Sequence, residues 1–338
     1  MEGTLTRPVG NQFVRRHALA LSLITVVLAV ILVAYNMSPQ ITRAVLSATL
    51  RQSTPLVLGA LCGLYGERAG VINIGIEGQM LLAAFVGFMA NVYLGNLALA
   101  VLLGVLAGAL LGLFLAYMSV TLKMDQIIAG TVINILAFGL TGYFYTQGLT
   151  TQGKLQPIPL GPLADLPLVG PVLFNSPPIT YLALLSVAVT HYVLFYTRWG
   201  LRTRAVGEHP RAADTVGINV YKRRYVNVII GGALAGLAGA YLSLEAVGSF
   251  ERAMTNGRGF VALAVMIFGK WTPVGAWGAA LLFGLATALQ TQLQFMGRLA
   301  IPHQFIGMLP YVLTIIVLAG FVGSARPPAA DGIPYEKE

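Results

Sequence analysis

Hydrophobic and polar residues alternate along the chain in long blocks, and most of the apolar blocks are as long as a membrane span. A helix needs about 20 mostly apolar residues to cross the hydrocarbon core. The eighth block is too short to do so at about 1.5 Å per residue, which predicts a half-helix or re-entrant element. The pattern predicts an all-α polytopic membrane protein with about ten transmembrane or half-membrane helices in one domain over residues 1–338. The predicted segments are 18–36, 46–66, 74–92, 97–121, 125–147, 179–198, 223–244, 258–270, 273–295 and 303–323.

Three connecting stretches interrupt this pattern. Residues 66–78 are rich in Gly and carry several polar side chains, which predicts irregular backbone close to the membrane. Residues 148–178 are rich in Gly and Pro and nearly uncharged, and we expect an external loop there. Residues 199–221 are basic and form the longest predicted cytoplasmic connection. Loops of this size are usually functional, although each could also be a solvated connector.

The charge pattern supports a membrane protein and gives it an orientation. Hydrophobic residues make up 57% of the chain and charged residues only 10%, against about 25% charged residues in soluble domains. The net charge of +9 does not indicate nucleic-acid binding, because 15 of the 21 Lys and Arg residues fall on one predicted side. Positive charge accumulates in cytoplasmic loops. We therefore expect a multi-pass protein of a bacterial cytoplasmic membrane with both termini in the cytoplasm.

The first apolar block, residues 18–36, is as long as a full span, so we expect a retained helix and not a cleaved signal peptide. The single cysteine, Cys62, excludes an internal disulfide, and the four histidines share no metal-ligand spacing. An intramembrane enzyme would need a His/Asp/Ser or metal-ligand cluster at membrane depth, and none is evident. We predict no catalytic residue, no metal site and no cofactor bound by this chain.

A short motif recurs in the two halves of the chain. The pattern G-A-L-x-G-L-x-G begins at Gly59 and again at Gly232. The helix with the first copy runs inward and the helix with the second runs outward, which predicts inverted repeats over about 46–147 and 223–323. Inverted repeats with broken helices are typical of transporters and place the pathway at the repeat interface. Chance recurrence is the alternative, because membrane helices favour small residues.

Polar residues next to the broken helices are candidates for the translocation pathway, because ionisable groups at membrane depth are costly. Aligning the repeats puts Glu77 opposite Arg258, and we hypothesise that these two side chains pair. The alternative is that each faces water at its own helix end. Arg51, four residues before Pro55, is interpreted as reaching the outer interface. The pathway candidates are Asn73, Glu77, Gln79, Asn256, Arg258 and Phe260.

The basic loop 199–221 has the features of a docking element. Pro210 suits the first turn of a helix and Gly217 suits its C-terminal cap, so a short surface helix is predicted between them. No nucleophile–base pair and no phosphate-binding P-loop is present. The residues predicted to couple this loop to a partner are Gly200, Ala205, Gly207, Glu208, Pro210, Ala212, Ala213 and Gly217.

These motifs resemble the ribose/galactose/nucleoside branch of ABC importer permeases. The loop pattern G-x-x-x-x-A-x-G-x-x-x-x-A-A-x-x-x-G-I-x-V, which starts at Gly200, is similar to the coupling segment of that branch. The stretch R-A-G-V-x-N-I-G-x-E-G, which starts at Arg68, matches another characteristic segment. Residues 257–269 and the tail 332–337 look most like nucleoside-type members.

The resemblance implies a permease subunit that moves a nucleoside or simple sugar inward by alternating access. It implies a cytoplasmic ABC ATPase, with two fused nucleotide-binding halves, which binds the ATP and Mg²⁺. It also implies a second permease subunit, in a homo- or heterodimer, and an extracytoplasmic substrate-binding protein. The alternative is an ion-coupled secondary transporter or channel for a small polar solute, which the inverted repeats alone would also fit.

Overall fold

The computed structural model describes residues 29–296 and 326–337, together with the isolated positions 25, 305, 307, 308 and 312. The predicted segments 18–36 and 303–323 therefore lie largely outside the described residues. The helices whose two ends both lie in the described part of the chain are α1 Pro39–Glu67, α2 Ile76–Leu94, α3 Leu97–Ala116, α4 Gln126–Tyr143, α5 Val169–Leu173, α6 Pro178–Tyr196, α7 Arg198–Glu208, α8 Pro210–Thr215, α9 Val220–Ala240, α10 Arg258–Phe268 and α11 Pro273–Met296.

The prediction of an all-α polytopic membrane protein is confirmed. In the described part of the chain, six helical segments are long and apolar enough to cross a membrane. Two of them end in π-helical turns, Tyr117–Thr121 after α3 and Tyr241–Val247 after α9. The eighth segment is a helix of only 11 residues, α10, as predicted. Residues 68–75, between α1 and α2, form turns and irregular backbone, as the Gly-rich sequence indicated.

Glycines let the central helices approach each other closely. A Cβ atom on Gly108 of α3 would lie 2.4 Å from the carbonyl oxygen of Gly232 in α9. A Cβ atom on Gly239 would lie 2.2 Å from the carbonyl oxygen of Met80 in α2. Only glycine allows such backbone contact. The second copy of the G-A-L-x-G-L-x-G motif therefore joins α9 to both α2 and α3.

The first copy of the motif has matching partners. A Cβ atom on Gly59 of α1 would lie 2.7 Å from the Ala262 side chain of α10, and one on Gly284 of α11 would lie 2.6 Å from the Thr49 carbonyl of α1. Helix α1 thus packs on α10 and α11, whereas α9 packs on α2 and α3. Two inverted halves that pack on each other would show such an exchange of partners. The repeats and their boundaries stay a prediction.

The two ends of the helix bundle differ in character. One end, here called the long-loop face, carries residues 144–177 and 248–257. Within it the two-residue strands β1 (Ile158–Pro159) and β2 (Asn175–Ser176) pair antiparallel, next to a 3₁₀ turn over Gly161–Asp165. The opposite end, the tail face, carries α7, α8 and the tail 326–337. Candidate functional groups lie at both ends.

Candidate functional site

A polar cavity opens at the long-loop face, and we call it the vestibule. Its volume is about 1020 Å³, within the size range of small-molecule sites. The walls come from α1, from the π-helical turn after α9 and from the loop that leads to α10. Its main polar residues are Arg51, Lys154, Tyr241, Glu245, Asn256 and Arg258.

Tyr241 is fixed in the vestibule wall by a backbone group that a proline exposes. Pro55 lies inside α1 and has no N–H, so the carbonyl of Arg51 has no helical partner. The Tyr241 hydroxyl donates to this carbonyl oxygen at 2.7 Å. Pro55 therefore creates the acceptor that holds α1 against the end of α9.

Glu245 lies one helical turn after Tyr241 and is 3% exposed. Its carboxylate accepts the backbone N–H of Ile179 at 2.7 Å and that of Thr180 at 3.1 Å. The Thr180 hydroxyl donates to the same carboxylate at 2.7 Å. A negative charge at the start of α6 is favoured by the helix dipole and satisfies free amide groups. The π-helical turn thus anchors the first turn of α6.

Glu77 performs the corresponding task for α10. One carboxylate oxygen accepts the N–H of Gly257 at 2.8 Å, and the other accepts the N–H of Gly259 at 2.6 Å. The Arg258 guanidinium instead donates to the carbonyl oxygens of Met254, at 3.1 Å, and Thr255, at 3.3 Å. The hypothesis of a direct Glu77–Arg258 ion pair is wrong. The carboxylate binds the backbone on either side of Arg258, because the start of α10 offers free amide groups at that point.

The six predicted pathway residues occupy three different environments. Asn256 and Arg258 line the vestibule, and Glu77 supports the segment that carries them. Phe260 is 48% exposed and does not line the vestibule. Asn73 and Gln79 belong to a separate buried cluster, in which the Asn73 amide donates to the Gln79 oxygen at 3.1 Å.

This cluster surrounds Cys62 in the interior. The Asn73 side-chain nitrogen lies 3.3 Å from the Cys62 sulfur, which in turn lies 3.5 Å from the Gln79 oxygen. Asn73 is 1% exposed and Gln79 is fully buried. These two polar residues therefore bind each other and hold the irregular segment 68–75 against α1 and α2.

Four of the six main polar residues of the vestibule were missed as pathway candidates in the sequence, namely Arg51, Lys154, Tyr241 and Glu245. Pro55 marked the free carbonyl of Arg51, but nothing in the local pattern showed that a tyrosine 190 positions away would bind it. Lys154 lies in a loop whose path the hydrophobic pattern does not determine. The spacing of four between Tyr241 and Glu245 was a usable signal, since it places both side chains on one helix face.

The tail face contains the predicted docking segment, which forms two helices and not one. Helix α7 covers residues predicted to be connecting loop, and α8 begins at Pro210 as predicted. Gly217 follows α8 with a φ of +80°, in agreement with its expected role at the helix end. The exposed residues of α8 and of the turn after it include Ala212, Thr215 and Val216.

The predicted coupling residues divide into buried and exposed groups. Gly200, Gly207 and Ala213 are buried, whereas Glu208, Ala212 and Gly217 are exposed, and Ala205 and Pro210 are intermediate. A Cβ atom on Gly207 would lie 2.3 Å from the carbonyl oxygen of Arg68. Gly207 therefore holds α7 against the end of α1. Only the exposed group is available to a partner protein.

The tail 326–337 crosses the tail face and binds α7 and α8. The Ala330 N–H donates to the Gly207 carbonyl at 2.9 Å, and the Ala329 N–H donates to the Glu208 carboxylate at 3.1 Å. The buried Tyr335 donates its hydroxyl to the Asp214 carboxylate at 2.9 Å. The tail thus fixes both helices of the predicted docking segment.

The same tail also binds the membrane helices. The Arg224 guanidinium of α9 is 1% exposed and donates to the Ile333 carbonyl at 2.8 Å. Lys123, between α3 and α4, pairs with Glu336 at 2.7 Å. Burial raises the pKa of Asp331 to about 7, and Asp331 shares a hydrogen bond with the Glu67 carboxyl. The tail is therefore a strap between the docking helices and both halves of the bundle.

Comparison with known proteins identifies the class. Residues 45–318 match the family described as the permease component of the branched-chain amino acid transport system. The chain belongs to this permease family. It is 40% identical to the guanosine ABC transporter permease NupQ of Bacillus subtilis (strain 168) over 88% of this chain and 98% of that protein. It is 42% identical to the nucleoside ABC transporter permease NupC of Lactococcus lactis subsp. cremoris (strain MG1363), over 84% and 94% respectively.

A third relative is named for a different substrate. The putative glucose ABC transporter permease TsgC13 of Haloferax volcanii is 38% identical over 81% of this chain and 90% of its own length. A permease of this kind is a membrane translocation component, not an enzyme, and works with a separate ATPase and a substrate-binding protein. The expected class of protein and its multi-pass character are confirmed.

Proposed function

We propose that this permease is the membrane-spanning subunit of an ATP-driven importer for nucleosides. The observation that carries the substrate class is the identity of 40–42% to permeases named for guanosine or nucleoside transport, over more than four fifths of the chain. The 38% identity to a putative glucose permease favours one second candidate, a simple sugar. A nucleoside contains a sugar, so the two candidates share hydroxyl groups and differ in the base.

The vestibule has suitable chemistry for a neutral, polyhydroxylated solute. The Arg51 and Arg258 guanidinium groups can donate hydrogen bonds to sugar or base oxygens. Guanidinium planes and aromatic rings also stack on nucleobases, and Tyr241 supplies a ring in the same cavity. We propose that Arg51, Tyr241, Asn256 and Arg258 contact the solute on its way through the membrane, and that Glu77 positions the last two.

We propose that the tail face lies in the cytoplasm and the long-loop face outside, in a bacterial cytoplasmic membrane. The supporting observation is the charge pattern, since α7, the link to α9 and the first turn of α9 are rich in Arg and Lys. The exposed side of α8 then meets the ATPase, which we propose has two fused nucleotide-binding halves. A second permease subunit would complete the pathway, and a substrate-binding protein would deliver solute to the vestibule.

ATP-driven closure of the ATPase halves would push α8, and α7 together with the tail would pass this movement to the bundle. The strap supports this route, because it binds α7, α8 and α9 as well as Lys123 in the link between α3 and α4. A ligand shifts the balance of outward- and inward-open states only by its difference in affinity for them. The permease itself makes and breaks no covalent bond.

Uptake in whole cells tests the substrate class. A strain that lacks this chain would be supplied with labelled guanosine, uridine, ribose or glucose, with and without the restored gene. We expect loss and recovery of guanosine or uridine uptake, with ribose and glucose unchanged. Loss of sugar uptake alone would transfer the assignment to the sugar candidate, and unchanged uptake of all four would overturn both.

A further inference from the structure

A second cavity, here called the basic pocket, lies on the tail face between the start of α7 and the start of α9. Its volume is about 390 Å³. Arg202, Lys222 and Arg223 line it together with the Trp199 indole, and no acidic residue contributes to its wall. Three cations around one small cavity repel each other unless an anion occupies it.

The positive charge of the pocket is not compensated from within the described chain. No ion pair joins Arg202, Lys222 or Arg223 to an acidic residue among residues 29–296 and 326–337. The two acidic residues of α7 and α8 bind the tail instead, Glu208 through Ala329 and Asp214 through Tyr335. Both acidic side chains of α7 and α8 therefore bind the strap, and neither of them lines the basic pocket.

The basic pocket lies at the level of the lipid head groups. Helix α6 spans the membrane and ends at Tyr196, only three residues before Trp199. Tyr192 and Tyr196 are 64% and 70% exposed and stack with ring centroids 6.2 Å apart. Exposed aromatic side chains at the end of a span mark the membrane–water interface. Lys222 and Arg223 belong to the first turn of α9, which is itself a span.

Arg223 and Trp199 form the inner wall of the pocket. The Arg223 guanidinium carbon lies 5.5 Å from the centre of the Trp199 ring, over its face. This contact orients the guanidinium group without neutralising it. Residues 217–219 also line the pocket, next to the start of α9, where the helix dipole is positive. The cations and the start of α9 thus favour an anion, while Ile218 and Val226 add apolar surface to the wall.

We propose that the basic pocket binds the phosphate group of an anionic phospholipid of the cytoplasmic leaflet. Basic pockets between membrane helices on this side are suited to such head groups. The pocket adjoins the ends of two spans, whereas the exposed side of α8 faces the ATPase, so a lipid is favoured over the ATPase as its occupant. This proposal rests on the orientation proposed above but not on the transported solute.

A charge-removing variant with a matched control tests the proposal. Arg202→Gln/Lys222→Gln removes two charges from the pocket and leaves the Arg223–Trp199 contact intact. The control, Arg326→Gln/Lys270→Asn, removes two exposed charges elsewhere, and Asn tolerates the left-handed backbone of Lys270. Each importer complex would be purified, and its binding of phosphatidylglycerol and phosphatidylcholine compared by native mass spectrometry.

We expect the pocket variant to bind phosphatidylglycerol about 20-fold more weakly than wild type, while the control and phosphatidylcholine binding stay unchanged. Glycerol phosphate and inorganic phosphate at millimolar concentration should not displace the lipid. Equal phosphatidylglycerol binding by both variants would overturn the proposal. Displacement by free phosphate would indicate a site for a soluble anion, and loss of the ATPase from the pocket variant would indicate an ATPase contact. Either result would also overturn it.

Discussion

The Glu77 carboxylate accepts the backbone N–H of Gly259 at 2.6 Å, across the interface between α2 and α10. Together with the bond from Gly257, it places the start of the short helix beside the vestibule. Hydrogen bonds to a charged acceptor contribute about 1.5–3 kcal/mol each to stability. We therefore expect Glu77→Ala to lower the free energy of unfolding by about 3 kcal/mol. Glu77→Gln should cost less, because its amide oxygen still accepts one bond, and thermal unfolding of the purified complexes measures both.

Exchanging the charges of Glu77 and Arg258 distinguishes binding of Glu77 to the backbone from a direct ion pair between the two side chains. If Glu77 binds the backbone amides, Glu77→Arg with Arg258→Glu should be at least as unstable as Glu77→Arg alone, because arginine accepts no hydrogen bond. The melting temperatures of the two single variants and the double variant decide the matter. Recovery of stability in the double variant would mean that the side-chain pair dominates after all.

The hydrogen bond from the Tyr241 hydroxyl should stabilise the protein because Pro55 leaves the Arg51 carbonyl without a helical donor. The Tyr241→Phe variant leaves the Arg51 carbonyl without a donor, and we expect a loss of about 1–2 kcal/mol. In a Pro55→Ala background residue 55 regains its N–H and can bind that carbonyl, so the same substitution should cost clearly less. A double-mutant cycle on melting temperature measures the difference. The exposed Tyr192→Phe is the control, and equal costs of Tyr241→Phe in both backgrounds would disprove the coupling.

The strap should bind more tightly at low pH. Burial raises the pKa of Asp331 from 3.8 to about 7, so docking of the tail favours the protonated form. Stability from this group is fully present below about pH 4 and is lost as the pH rises through about 7. The groups that face it are the Glu67 carboxyl and the Arg224 guanidinium. Limited proteolysis of the C-terminus should therefore be faster at pH 8 than at pH 6.

Asp331→Asn removes one of two coupled titrations. Burial also raises the pKa of Glu67, to about 8, and this carboxyl still ionises in the variant, so we expect the pH dependence of tail proteolysis to become weaker but not to vanish. Proteolysis of the Asp165→Asn variant, which changes an exposed carboxylate on the long-loop face, should keep the wild-type pH dependence. A pH effect of unchanged size in Asp331→Asn would show that another group controls the tail.

Substitutions at Gly207 and Ala212 should impair the permease for different reasons, although both residues were predicted to couple the loop to a partner. A Cβ atom on Gly207 would meet the Arg68 carbonyl at 2.3 Å, so Gly207→Ala should lower the melting temperature of the permease. Gly139→Ala, with nothing within 4 Å of the added atom, is the matched control and should not. Ala212→Arg lies on the exposed side of α8 and should leave stability unchanged while weakening co-purification of the ATPase. Retention of the ATPase by Ala212→Arg would contradict the docking surface.

The helices could be predicted from the sequence because every span needs about 20 mostly apolar residues to cross the bilayer. The short α10 and the irregular segment after Glu67 were predictable for the same reason. Of the six main polar residues of the vestibule, only Asn256 and Arg258 were predicted from the sequence. Its other residues depend on contacts between distant segments, as between Tyr241 and Arg51, which periodicity does not encode. The strap was not predicted, since its sequence has no hydrophobic periodicity and its partners lie more than 100 positions away along the chain.

Reconstituted transport tests the central claim most directly. The permease, its ATPase, its partner permease and the substrate-binding protein would be assembled in proteoliposomes, and ATP-dependent movement of labelled guanosine would be measured. Wild type and Gly139→Ala should transport guanosine, whereas Ala212→Arg should not, and unlabelled uridine should compete better than glucose. Guanosine movement that is independent of ATP, or equal in Ala212→Arg, would contradict an ATP-driven nucleoside importer that is coupled through α8.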